Sequence, residues 1–157
     1  MLEKIQTRTI SFPTDEELKQ AIQTKGLYKR VIEKFVLSEY EAYAQETSYS
    51  KLSHLPQITT DHVMPQNWHG DWQSNVSREE HNEVKDLWGN LVPLSHSANS
   101  AKSARNFEET KAILKREVSF VTTVRLLDEH KNWNKETLMQ RTSKLADWAI
   151  LRWPKKI

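Results

Sequence analysis

At 157 residues the chain suits one domain, and it can bury roughly 70% of its unfolded surface without covalent staples. It has no cysteine, which excludes disulfides, thiolate zinc sites and cysteine nucleophiles and fits a reducing cytoplasm. A net charge of +2 does not announce a nucleic-acid binder, no apolar run approaches the roughly 18 residues of a membrane span, and the first twenty residues lack the regions of a signal peptide.

Residues 1–12 show no clear period and read as a flexible or docking segment. "FPTDEELKQAIQTKGLY" carries a cap signal at Thr14 or Asp15 and acids in the first turn. Leu18 and Ile22 share a face, and Gly26 marks the stop. "LYKRVIEKFVLSEYEAYA" reads as a second, longer helix, with Tyr28, Ile32, Phe35/Val36, Tyr40 and Tyr43 at helical spacing and taken inward. Thr47 to Leu55 reads as loop. "QITTDHV" is β-branched and reads as a strand ending at Met64-Pro65. Gln66 to Ser77 is a polar loop; of the six tryptophans, only Trp68 and Trp72 fall in such a surface-like stretch. "REEHNEVKDLW" is a short helix capped by Ser77 with Glu80 three residues on, closed by Gly89. "NLVPL" is a second strand, which Pro93 places at an edge or strand end. "SHSANSAKSA" reads as a short helix. "FEETKAILKREVSFV" follows with Phe107, Ile113/Leu114 and Val118 inward. The last helix, "NKETLMQRTSKLADWAILRW", starts at the Asn134 cap. Leu138, Arg141, Leu145 and Trp148/Ala149 line one face, and Pro154 ends it.

The sum is an α+β chain, mostly helical, with a two-stranded antiparallel hairpin packed among helices. Two strands are not stable alone, so the helices must support them. Between His96 and Arg116 five basic residues stand against two acidic ones, which is weak evidence for a phosphate-binding face.

Three polar items mark the hairpin region. Asp61 and His62 end the first strand, Asn90 opens the second, and Asn99 lies on the helix that follows, with Lys102 one turn on. Each has a bland reading: a turn with a satisfied histidine, turn chemistry after Gly89, a solvent-facing amide. Together "DHVMPQNW", "GNLVPL" and "SANSAKS" resemble the HNH, or His-Me finger, endonucleases, CRISPR-effector HNH domains among them. The closer resemblance is to the C-terminal nuclease domain of GmrSD-type, modification-dependent (type IV) restriction enzymes. That family shares the Gly-Asn-Leu turn, an asparagine in a small-residue helix, a following Phe-x-x-x-Lys and a final helix ending in Trp-Pro.

The resemblance implies a single HNH-type nuclease domain over residues 1–157. Its ββα-metal core would span about 54–117, with helical support from 14–46 and 118–154. It implies a Mg²⁺-dependent DNA endonuclease or nickase, with Mn²⁺ as a substitute metal, in a prokaryotic anti-phage restriction system linked to modified or phosphorothioated DNA. Further implications are a cytoplasmic location, no membrane partner, and a covalently linked N-terminal NTPase or ParB-like sensor domain outside this chain.

The residue types suit these roles. His62, with an ordinary pKa of about 6.5, can take a proton from water at neutral pH. Asp61 and Asn99 offer the hard oxygens that Mg²⁺ takes. By resemblance, Asn90 pins the loop between the strands and helps aim His62, and Lys102, with Arg105, holds the phosphate backbone. Neighbouring residues of a regular strand point to opposite faces, so a bend or strand end at Asp61-His62, with which Met64-Pro65 is consistent, is expected to bring both to one site. The other histidines (His54, His69, His81, His96 and His130) are expected to be non-catalytic, with His54 or His69 close enough to touch the site. A zinc site is not expected, since no histidine pair has i, i+4 spacing. The alternative function is a non-catalytic DNA-binding or docking module that keeps the ββα shape.

Overall fold

A computed structural model describes residues 13–47, 58–95, 97, 106–117 and 120–154. In chain order its elements are α1 (Asp15–Thr24), α2 (Glu33–Ala44), β1 (Thr59–His62), α3 (Arg78–Val84), β2 (Leu91–Leu94), α4 (Phe107–Glu117), α5 (Val121–Glu129) and α6 (Lys135–Arg152). Short 3-10 turns lie at Gly70–Ser74 and Trp88–Asn90. The chain is thus mostly helical around one antiparallel hairpin, an α+β fold.

Three helices start where their sequences say they should. Thr14, Ser77 and Asn134 each accept from the backbone N–H three residues on, and the side chains of Glu17, Glu80 and Thr137 reach back to the cap. These capping boxes satisfy N–H groups that a helix start leaves without partners.

The second helix differs from its sequence pattern. It begins at Glu33, because the chain turns through 28–32, where Lys29 has φ 61°. Ile32, Phe35 and Tyr43 are exposed rather than inward. The buried positions include Val36 and Leu37, but also the acids Glu39 and Glu41. The reason is tertiary. Glu41 accepts from the N–H groups of Val121 and Thr122 (2.7 and 2.9 Å) and from the Thr122 hydroxyl (2.6 Å). Its carboxylate therefore caps α5, whose own N-cap, Phe120, has no side chain able to do so. Glu39 takes the Arg152 guanidinium at 2.6 Å. Helix α5 falls within the helical support expected over 118–154, but its own bounds are not marked by any cap or periodic stretch read from the sequence.

Trp72 is another correction. It sits in a polar stretch yet is almost fully buried in the core, and Trp68 is half-buried with its indole N–H donating to the Val76 carbonyl at 3.0 Å. The 3-10 turn at Gly70–Ser74 folds Trp72 inward.

β1 and β2 pair in the register Thr59–Leu94, Thr60–Pro93, Asp61–Val92 and His62–Leu91. The hairpin divides two apolar clusters. Val92 and Leu94 join Val63, Met64, Trp72, Phe107, Leu114, Trp133 and Leu138 on one side. Leu91 joins Ile22, Leu27, Trp88, Leu145 and Trp148 on the other. Val118, His54, His96 and nearly all of the helix expected at "SHSANSAKSA" lie outside the described residues.

Candidate active site

The turn before β2 is where the site is built. Gly89 lies so close to α6 that a Cβ there would stand 2.2 Å from Thr142 Oγ1 and 2.4 Å from the Leu138 carbonyl. Only glycine fits. Its N–H donates to Thr142 Oγ1 at 3.2 Å, while Arg141 Nη1 donates to the carbonyls of Gly89 (2.6 Å) and Leu91 (2.9 Å). Gly89 is therefore not the stop of α3, which ends at Val84; it is the point of contact with the last helix.

Between those two carbonyls sits Asn90, with no exposed surface. Its Oδ1 accepts from the Met64 N–H at 2.9 Å and from the Trp133 indole at 3.1 Å. Its Nδ2 donates to the carbonyls of Met64 and Lys85, both at 2.8 Å. All four hydrogen-bonding positions of the amide are used. Its backbone carbonyl accepts from Val63 at 2.8 Å. His81 adds a further tie: its Nε2 donates to the Pro65 carbonyl at 2.8 Å, which fixes the Nε2–H tautomer. The segment that follows His62 is thus held by a buried asparagine and a buried histidine.

His62, the last paired residue of β1, is 4% exposed. Its Nε2 lies 3.0 Å from Asp86 Oδ1, and the Tyr28 ring packs edge-on at 4.4 Å between centroids. Asp86 is itself tied down, because its backbone carbonyl accepts from Leu27 at 2.8 Å. A carboxylate on one ring nitrogen fixes the orientation of the imidazole. Sequence reading missed Asp86; it sits 24 residues from His62, and no local pattern joins them.

Asp61 is half-buried. The register is regular through His62, so Asp61 shares a face with Val92 and His62 shares the opposite one with Leu91. β1 ends at His62 and the chain bends at Val63 and Met64, so the bend or strand end expected here falls just after the pair rather than between its two residues. Asn99, Lys102 and Arg105 lie outside the described residues. Among the described residues no group of three or more histidines and acids could hold a metal. His69 is half-buried in the loop before the Gly70–Ser74 turn, and His130 stands at the far end of α5. Among the described residues no helix is long and apolar enough to cross a membrane.

Comparison with curated proteins and with solved structures gave no match. Comparison with protein families matched the C-terminal domain of the GmrSD restriction endonucleases over residues 12–148. That span takes in every capping box, both strands and the Asn90 turn, so the chain belongs to the GmrSD restriction endonuclease C-terminal domain family.

Proposed function

We propose that the chain is a Mg²⁺-dependent DNA endonuclease or nickase of the HNH type. In this reading it hydrolyses phosphodiesters of foreign DNA in the cytoplasm of a prokaryote, in an anti-phage restriction system linked to modified or phosphorothioated DNA. The observation that carries this reading is the Asn90 clamp. The asparagine of the second motif grips both backbone groups of Met64, two residues past the histidine of the first. A loop held in this way keeps the histidine's backbone in place while its ring is oriented separately, by Asp86.

His62 takes the proton of the attacking water, and Asp86 orients its ring through Nε2. Asp61 and Asn99 would hold Mg²⁺. The half-buried Asp61 carboxylate is a hard donor of the kind that binds this ion through one or two carboxylates and several waters. When bound, the ion supplies charge stabilisation at the phosphate and the leaving oxygen. Lys102 and Arg105 hold the DNA backbone. Asp61 and His62 leave β1 on opposite faces, and the scissile phosphate would be met at the strand's end, where the chain bends at Val63 and Met64. The matching family is described as a C-terminal domain, which supports a longer protein. We propose that a linked N-terminal NTPase or ParB-like domain supplies the recognition of modified DNA, which the coding sequence upstream of Met1 tests.

The experiment is plasmid cleavage with Mg²⁺ or Mn²⁺, with and without EDTA. Metal-dependent nicking that disappears in His62→Ala is expected; no cleavage by the natural chain, identical to the variant, sinks the reading. The opposed faces of Asp61 and His62 favour one rival, a non-catalytic DNA-binding or docking module. Calorimetric titration separates the two. Mg²⁺ binding lost in Asp61→Ala and Asn99→Ala supports the nuclease, and binding intact in both supports the module.

A further inference from the structure

A cavity of about 110 Å³ lies among α2, α5 and α6. Its wall includes Tyr40, Arg125, Glu129, His130, Arg141 and Lys144. Arg141 is buried, and its bonding is one-sided. Nη1 holds the carbonyls of Gly89 and Leu91, whereas Nη2, also buried, has no hydrogen-bond partner among the described residues. Among the described residues no carboxylate is bonded to it. Glu129, the acid in the wall, is taken by Lys144 Nζ at 3.2 Å. Arg125 donates to the Ala44 carbonyl at 3.2 Å, another neutral partner. Three permanent cations thus share one carboxylate.

A buried charge without a counter-charge is costly, and protein interiors supply one. Burial pushes the Arg141 guanidinium down to about 10, which leaves it charged at neutral pH. His130 is lowered as well. Burial is the main cause and Lys144, Arg141 and Lys111 add to it, against an opposing pull from Glu129. The cavity's electrostatics therefore favour an anion. Its size suits a tetrahedral oxyanion, since a water's share of liquid volume is about 30 Å³.

The geometry points to a binding site for a phosphate group, free or at the end of a nucleotide, seated between the buried Arg141 and the exposed Arg125 and Lys144 at the mouth. The site is separate from the proposed cleavage site and does not depend on it. It is coupled to the same turn, because the guanidinium that receives the anion also grips the carbonyls on either side of Asn90. A ligand that binds only the folded chain stabilises it, so occupancy stiffens the support beneath the hairpin.

The test is calorimetric titration of the full chain with sodium phosphate at constant ionic strength. EDTA is present throughout, so that no metal-bound phosphate contributes. Saturable binding absent with chloride, accompanied by a rise in melting temperature, is expected. Arg141→Met loses the carbonyl grip and is expected to fold poorly, so the variant that decides is the exposed pair Arg125→Ala with Lys144→Ala. It should melt as the natural chain does and bind phosphate about tenfold more weakly or worse, as loss of charge-assisted hydrogen bonds dictates. ATP titrated in the same buffer separates the sources. Tighter binding than phosphate assigns a nucleotide's terminal phosphate, and equal or weaker binding assigns the free ion. No saturable binding, binding undiminished in the double variant, or complete displacement of phosphate by a short DNA duplex overturns the proposal.

Discussion

Asn90 and Arg141 are both buried polar side chains, and both secure the turn that leads into β2, yet one is complete and the other is not. Asn90 spends two donors and two acceptors on Met64, Lys85 and Trp133. Arg141 spends one nitrogen on two carbonyls and leaves another without a partner beside a cavity of like charges. A buried amide with every position used works as a rivet, and exchanging any partner only weakens it. A buried cation bonded on one side holds the same turn while keeping the capacity to bind something else.

The comparison breaks most visibly at the rivet. Asn90→Ala leaves four buried partner groups unsatisfied, at about 1–3 kcal/mol each, so a loss of about 4 kcal/mol or more is expected in urea unfolding. Gly89→Ala forces a methyl into Thr142 and the Leu138 carbonyl and should cost about 3 kcal/mol, read in the same way. Either variant unfolding like the natural chain would mean that the turn is not held as described.

The second prediction separates stability from activity. His62→Ala should lower the cleavage rate about 10²- to 10⁴-fold, the range for general acid–base catalysis. Asp86→Ala should lose less, in kcat rather than KM, and should stay folded because Asp86 is partly exposed, whereas the buried His62 makes a melting curve of His62→Ala the control for its rate. If Asp86→Ala is instead faster, the carboxylate restrains the histidine rather than orienting it.

The third concerns the cavity wall and pH. His130 has a folded-state pKa below its ordinary value, chiefly through burial. The unfolded chain therefore binds this proton more readily. The stability it contributes is present above about pH 6.5 and is lost as pH falls through the lower folded value. Melting temperatures of the natural chain and of His130→Gln should converge toward pH 7 and separate under mild acid, with the histidine chain losing more. Phosphate in the cavity should reduce the separation, since a bound anion favours the imidazolium.

The smallest effect is expected at the surface. Lys19 and Asp147 pair at 2.6 Å between α1 and α6, but both are well exposed. Lys19→Ala should change stability by about 0–1 kcal/mol in thermal or urea unfolding. A larger loss would mean that α1 is held less by Ile22 and Leu27 than by charge.

What could be read along the chain was whatever a short stretch can settle by itself. Thr14, Ser77 and Asn134 each carry their partner three residues on, so three helix starts were legible. β-branched runs and Pro93 gave both strands, and the pair followed, since neither could stand alone. The periodicity of α2 misled because aromatic spacing marks a face without saying which face is inward. Glu41 decided that by capping α5, a helix whose own sequence offers no cap. Trp72 misled for a similar reason: polar neighbours describe the loop, whereas a single 3-10 turn places the ring.

The candidate site divides in the same way. Asp61, His62 and Asn90 are visible as residue types in order, inside the span that the family matches. Their partners are not visible. Asp86, Trp133, Arg141 and Thr142 reach the site from 24 to 53 residues away, through one or two hydrogen bonds each that leave no periodic trace. The sequence by itself determined the helix starts, the two strands and the chemistry of the motif residues, since all of these depend on near neighbours. Tertiary structure alone decided which face of each helix is buried, that β1 keeps its register up to its end at His62, and that one arginine is left half-bonded beside a cavity. Those outcomes depend on where distant backbone groups come to rest, and only the packed chain brings them together.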